Sequence, residues 1–195
     1  MMFEQPLTTP LRVAWRYVAV IALAAALAAC ARPGPGVLVP AAQIASGARL
    51  VTVYVATTRA RDPAAMNVYT SNRAPNLNFT EFTIAIPPRH TPGDIEWPSG
   101  LADPERHFIT VRQTLLSSEE FAGKVSARAA RKAGVFIHGY NVSFQESVFR
   151  LAQMASDADI DGIPILFAWP AGETLVGYVG DKEAATYSRD ALCNC

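Results

Sequence analysis

The residues of this chain best equipped for chemistry are His138, Gly139, Tyr140 and Asn141, in one unbroken run, with Ser143 two places on. Histidine can hold or move a proton near neutral pH. A serine hydroxyl can attack once a base activates it, and glycine lets a backbone come close to a ligand. The setting adds to this. Val135-Phe136-Ile137 is short and wholly apolar, as expected of a central strand covered on both faces. Ser143-x-x-Glu146 is a capping-box sequence that opens a helix. Such a strand–turn–helix junction carries backbone N–H groups to the carboxyl edge of a sheet, where α/β enzymes gather their chemistry. On the residues alone, an ordinary turn with a buried histidine stays open beside this. A makeshift triad of Ser143, His138 and Asp161 has the right residue types, but Ser143 is better used as the helix cap.

The elements that must position this run can be read on either side. Downstream, Phe144, Val148, Leu151 and Ala155 mark the buried stripe of a helix to about Asp157. Asp159-Ile160-Asp161-Gly162 turns the chain. Ile163 to Trp169 is an apolar strand broken by Pro170-Ala171-Gly172, and a helix follows from Asp181, as its cap, to Leu192. Upstream, Val51, Val53 and Val55 alternate with Thr52, Tyr54 and Ala56 in a strand over 50–57. Thr58-Arg59-Ala60-Arg61-Asp62-Pro63 ends it; its basic pair could hold an anion, but a solvated loop with a local Arg–Asp contact is the better reading. Asn67 to Asn78 reads as loop, and Phe79 to Ile86 as a second strand stopped by Pro87-Pro88. The turn-rich excursion to Gly100 holds His90, expected in an exposed loop, and His107 opens a third strand to Leu115. Ser117-x-x-Glu120 is a second capping box. The helix it opens would align Phe121, Val125 and Ala129, gather Arg128, Arg131 and Lys132 at its end, and stop at Gly134. The predicted fold is α/β: a mostly parallel sheet with helices on both faces and a β-rich amino-terminal lead-in.

Composition bounds the rest. The 195 residues allow one domain and a short appendage. Half are hydrophobic and 17% charged, enough for a packed core. Lys+Arg and Asp+Glu are 17 each, which gives no electrostatic case for a nucleic-acid partner. Arg12 and Arg16 precede an uncharged apolar run from Tyr17 to Ala29, the layout of a secretory signal. The run is shorter than the roughly 20 residues a spanning helix needs. Ala31 to Ala48 is mainly Ala, Pro and Gly and reads as an extended, semi-flexible spacer. The predicted order is therefore a signal over 1–29, a tether over 30–48 and a domain over 49–195. Cys193 and Cys195 are too close for an unstrained disulfide and too few for a closed zinc site, so they read as an accidental tail. No motif points to a metal or organic cofactor.

Two resemblances refine this. Leu27-Ala28-Ala29-Cys30 resembles the lipobox of bacterial lipoproteins. That resemblance implies cleavage before Cys30, acylation of Cys30, and a chain exported and anchored to the cell envelope through several acyl chains. Ala31, rather than Asp, implies the outer membrane in a cell that has one. The alternative is a plain signal peptide with a chance cysteine. Farther on, His138-Gly139-Tyr140-Asn141, Ser143-Phe144, Arg150-Leu151-Ala152-Gln153 and Phe167-Ala168-Trp169-Pro170 resemble the α/β-hydrolase superfamily. More narrowly, they resemble a family of largely uncharacterised bacterial esterase/lipase-like proteins, often exported. Gly172, Gly177-Tyr178, Asp181 and Ser188-Arg189-Asp190-Ala191-Leu192 belong to the same pattern. In the lead-in, Ala56-Thr57-Thr58-Arg59 and Ile86-Pro87 extend it over residues 50 to 192.

The second resemblance implies that the loop after the Val135 strand gives a backbone N–H to an oxyanion hole. Preorganised donors there stabilise charge developing on a carbonyl oxygen by several kcal/mol. Tyr140 is the first choice for that N–H and Asn141 the second. Gly139 would admit the substrate, and His138 would brace the loop rather than act as base. The superfamily's nucleophile sits in G-x-S-x-G, followed by an acid and then a His. Here no Ser has Gly two residues before it, and no His follows His138. The expectation is the amino-terminal part of a serine acyl or ester hydrolase of the envelope, inactive alone, whose substrate class is a small acyl ester. The alternative is a non-catalytic membrane-anchored lipoprotein that binds or scaffolds. The resemblance also implies that the Val135 strand lies between its successor and the nucleophile strand, so that here one of its edges is bare.

Overall fold

The computed structural model describes residues 16–17, 33–65, 68–98, 100–128, 132–172 and 178–192. The chain divides into two compact units, Met1–Arg32 and Pro33–Cys195, and the sheet belongs to the second. Cys30, Cys193 and Cys195 lie outside the described residues.

Among the described residues, five strands form one sheet in the order β3-β2-β1-β5-β4. β1 (Arg49–Arg61) lies at its centre and pairs antiparallel with β2 (Tyr69–Ile86), which pairs antiparallel with β3 (Ile109–Leu116). On its other side β1 runs parallel to β5 (Gly162–Ala168), and β5 parallel to β4 (Lys132–Ile137). The sheet is therefore mixed, antiparallel through the lead-in and parallel where strands and helices alternate. α1 (Ser118–Ser126), α2 (Phe144–Asp157) and α3 (Tyr178–Leu192) cover it.

The alternation in β1 decides which helix lies on which face. Val51, Val53 and Val55 join Phe82, Ile84 and the α2 residues Phe144, Val148, Leu151 and Ala155 in one core cluster. Tyr54 and Ala56 point the other way and pack with Phe121 of α1, Ala184 of α3, Ile163, Phe167 and Trp169. A strand with a helix layer on each side must be apolar on both faces, which is why β1 is almost wholly buried after its first two residues. Both capping boxes are formed, each Ser side chain accepting from the Glu amide three residues on. α2 has the expected bounds and stripe.

Several expectations are corrected. The stretch read as loop to Asn78 is strand from Tyr69, and the supposed loop at 58–61 is its partner, with Arg59 opposite Arg73 and Arg61 opposite Tyr69. The polar residues Ser71, Asn72 and Arg73 belong to an exposed ribbon, where polarity says nothing against strand. Gly134 does not stop α1. That helix ends at Ser126, and Gly134 and Lys132 are already in β4. Nor is β4 covered on both faces: it is an edge strand, with Val135 56% and Ile137 48% exposed. From Pro33 onward the supposed tether is docked. Pro35–Leu38 forms a 3-10 helix whose Leu38 is fully buried, a burial worth about 1.5–3 kcal/mol. Thr110 Oγ1 donates to Val37 O at 2.8 Å, and Ala41 N donates to Thr110 O at 2.8 Å.

Candidate active site

β4 and β5 are parallel and in register, with Ile137 opposite Phe167, so the segments that follow them leave the sheet together at its carboxyl edge. One is His138-Gly139-Tyr140-Asn141-Val142, and the other is Trp169-Pro170-Ala171-Gly172. The first segment reaches α2 through Ser143, whose hydroxyl caps the helix while Glu146 Oε2 accepts from Ser143 N at 2.7 Å. Asn141 sits at φ +58°, in the left-handed region that asparagine tolerates better than most residues.

Two side chains fasten these segments to each other. The His138 and Trp169 rings stack, with centroids 5.0 Å apart and planes 13° from parallel. The Trp169 indole N–H donates to His138 O at 2.9 Å, and His138 Nε2 lies 3.0 Å from Trp169 O. Arg59 is the second fastener, and it is fully buried. Its Nε donates to Trp169 O at 3.0 Å, and its Nη2 to Val142 O at 3.0 Å. One guanidinium thus bridges the ends of both segments and puts a permanent positive charge at the base of the loop. The neighbouring threonines are also buried ties: Thr57 Oγ1 donates to Ala168 O at 2.6 Å, and the Thr58 and Ser188 hydroxyls are 2.7 Å apart. Sequence reasoning read Arg59 as solvated. Its own neighbourhood carried no contrary signal; only the resemblance across Ala56–Arg59 did.

The ionisation of His138 follows. Its Nδ1 is 2.9 Å from Gly139 O and its Nε2 faces Trp169 O, so two acceptors favour a second ring proton. Burial opposes it, the Arg59 guanidinium pushes the same way, and together they prevail, holding the pKa at about 4. At neutral pH the imidazole is uncharged and enclosed, and both ring nitrogens lie against backbone oxygens.

Gly139 is exposed, and a Cβ there would meet nothing within 4 Å, so the space beside it is open. The Tyr140 ring meets Tyr178 edge-on at 5.5 Å. A cavity of about 230 Å³ adjoins the loop, bounded by His138, Gly139 and Asn141 on one side and by Ile95, Trp97 and Phe136 on another. The makeshift triad is not assembled: Ser143 is buried in its capping role, and Asp161 precedes β5 at the opposite end of the parallel strands from His138. Asp181 is not the cap of α3 but lies in its first turn, where Oδ1 accepts from Gly172 N at 2.6 Å and so secures the second segment. His90 is only 10% exposed in its side chain, against the expectation of an open loop, and is held between Glu96 and Asp157.

One comparison with known proteins bears on this part of the chain. Residues 115–195 match a family model described as an alpha/beta hydrolase of unknown function (DUF900). The match spans β4, the candidate loop, α2, β5 and α3, and supports the α/β-hydrolase superfamily for that part of the chain. No curated protein and no solved structure matches.

Proposed function

We propose that residues 49–192 are the oxyanion-hole half of a serine acyl or ester hydrolase, with the amides of Tyr140, and secondarily Asn141, aimed at the carbonyl oxygen of a small acyl ester. The observation that carries this reading is the fastening of the His138–Val142 loop by Arg59 and Trp169 at the carboxyl edge of two parallel strands, beside an open cavity. An oxyanion hole stabilises charge only if its donors are fixed before the reaction, and a loop held by a buried guanidinium meets that requirement. Neutral His138 serves as brace. Nucleophile, acid and base would come from polypeptide beyond this sequence, and the chain alone turns over no ester.

The test titrates butylphosphonate, a tetrahedral anion, into the purified chain and follows backbone amide resonances. The reading expects saturable shifts at residues 139–141 that Gly139→Ala weakens without unfolding the protein. Shifts scattered elsewhere, or none, would refute it. Saturable ester turnover abolished by a serine-reactive phosphonate would refute the claim of inactivity.

The rival proposal, a non-catalytic binding or scaffolding module, draws on the exposed Val135 and Ile137 of β4, an edge strand among the described residues. We further propose export and anchoring through acylated Cys30. This rests on residues 12–30 alone, and labelled palmitate retained in a Cys30→Ser variant would exclude it.

A further inference from the structure

Residues 87–97 leave β2 after Ile86 and return before β3, and they carry two kinds of contact. On one side Ile95 and Trp97 bound the cavity beside the His138 loop, with Trp97 packed on Phe149 of α2 at 4.9 Å between centroids. On the other side the excursion is tied down by a polar cluster. His90 Nδ1 lies 2.8 Å from Glu96 Oε2, and Nε2 lies 2.7 Å from Asp157 Oδ1 at the end of α2. The same carboxylates hold the backbone: Thr91 N donates to Glu96 Oε1 at 2.8 Å, and Gly93 N to Asp157 Oδ2 at 2.7 Å. Arg150 Nη1 donates to Gly93 O at 3.3 Å and to Gln153 Oε1 at 2.8 Å, and Gln153 Nε2 donates in turn to Asp157 Oδ2. Arg150, Gln153 and Asp157 are spaced i, i+3, i+7 on α2, so a single helix ridge grips the excursion.

We propose that His90, Glu96 and Asp157 form a latch that, with the imidazole charged, holds residues 89–97 on α2 and so keeps Trp97 and Ile95 in place as a wall of the cavity. The argument is one of proton count. Both ring nitrogens face carboxylate oxygens, and only imidazolium can donate to both. Once neutral, the ring turns a lone pair toward one carboxylate, leaving two anionic groups around an uncharged ring.

Every charged group packed about the ring bears on the sign. Glu96 belongs to the excursion itself, and Asp157 and Arg150 come from α2. Arg89, Asp94, Arg106 and His107 line the hollow on the outer side with Glu96. Burial alone would depress the His90 pKa, but its bonds to Glu96 and Asp157, and their charges, more than offset this and raise it above 6.5. Burial likewise acts to raise the Asp157 value, yet the Gly93 amide and His90 bring it below 3.8. A raised histidine contributes stability that is complete below its unfolded value and lost as pH rises through the folded one. A depressed carboxylate contributes above its unfolded value and loses it as pH falls. The latch is therefore complete between about pH 4 and pH 6.5 and opens above its folded His90 pKa.

The latch stands on this geometry whether or not the loop at His138 is an oxyanion hole; only its bearing on acyl binding rests on that reading. The test uses the full chain without any ligand. Amide exchange of Thr91 and Gly93, corrected for intrinsic rate, is followed from pH 5 to 9 alongside fluorine resonances of 5-fluorotryptophan-labelled protein. We expect protection at both amides to fall at least tenfold as His90 deprotonates, and the Trp97 signal to shift with the same midpoint while Trp169 stays put. His90→Gln should be poorly protected at every pH, and Glu96→Gln should lower the midpoint. Flat wild-type protection, a His90→Gln profile that superimposes on wild type, or a Trp97 signal that ignores the His90 titration would each overturn the proposal.

Discussion

His138 and Trp169 hold each other reciprocally: each offers a backbone oxygen to the other's ring nitrogen, and the two rings stack face to face. Two strands that run parallel have no tight turn to join their ends, so beyond the β4–β5 ladder only contacts between the following loops fix those loops to each other. This pair does so at the end from which the candidate site is built.

Trp169→Phe keeps an aromatic face against His138 but removes the N–H that His138 O accepts. Loss of that bond should cost about 1–2 kcal/mol, read as a lower urea midpoint. An unchanged midpoint would mean that stacking alone makes the clasp.

The enclosed imidazole makes the protein acid-sensitive. Its folded pKa of about 4 lies below the unfolded 6.5, so the stability it contributes is present above pH 6.5 and lost as pH falls through 4. With 1.36 kcal/mol per pKa unit, the loss amounts to about 3 kcal/mol. Stability curves of the wild type and His138→Asn should therefore converge by that order between pH 6.5 and 4; parallel curves would contradict the assignment.

Replacing Arg59 should damage the fold as well as the loop. Arg59→Met leaves Trp169 O and Val142 O without their guanidinium donor, at an expected cost of about 2–4 kcal/mol. Arg59→Lys should recover less than half of this, because an ammonium lacks the planar fork that spans two separated carbonyls. Denaturant titration of both variants decides it, and a lysine variant as stable as wild type would show that charge alone suffices.

Two glycines should differ in their tolerance of alanine. At Gly162 a Cβ would meet Lys132 O at 2.8 Å, a backbone atom of the adjoining strand, so Gly162→Ala should cost about 1–3 kcal/mol. At Gly139 the space is open, and Gly139→Ala should stay within about 0.5 kcal/mol of wild type. Thermal midpoints of the pair provide the check; an equal drop in both would argue against an open space beside Gly139.

What the sequence disclosed was whatever acts locally. The two capping boxes and the stripe Phe144, Val148, Leu151, Ala155 are spaced by helix geometry, and the structure forms them as read. What it hid depends on distant partners. Arg59 looks solvated until the carbonyls of Val142 and Trp169 arrive from residues far along the chain. Arg73 looks like loop because its strand partner Arg59, not its own side chain, holds it extended. His90 reads as exposed loop because Asp157 meets it only after α2 is docked. His-Gly-Tyr-Asn and Trp-Pro belong to one sequence resemblance, but the stacking of His138 on Trp169 is visible only once β4 and β5 lie side by side.

The central place of β1 imposes an order on assembly. Its antiparallel neighbour β2 leaves the ribosome almost at once, and the β1–β2–β3 meander can close while the rest is unmade. The other side of β1 then waits as a vacant template until Gly162–Ala168 emerges, exposed meanwhile to any passing strand. Pulse-labelled exchange on refolding should find β1 amides that face β2 protected well before those that face β5, so this protein is most vulnerable to misassembly while its middle strand has only one neighbour.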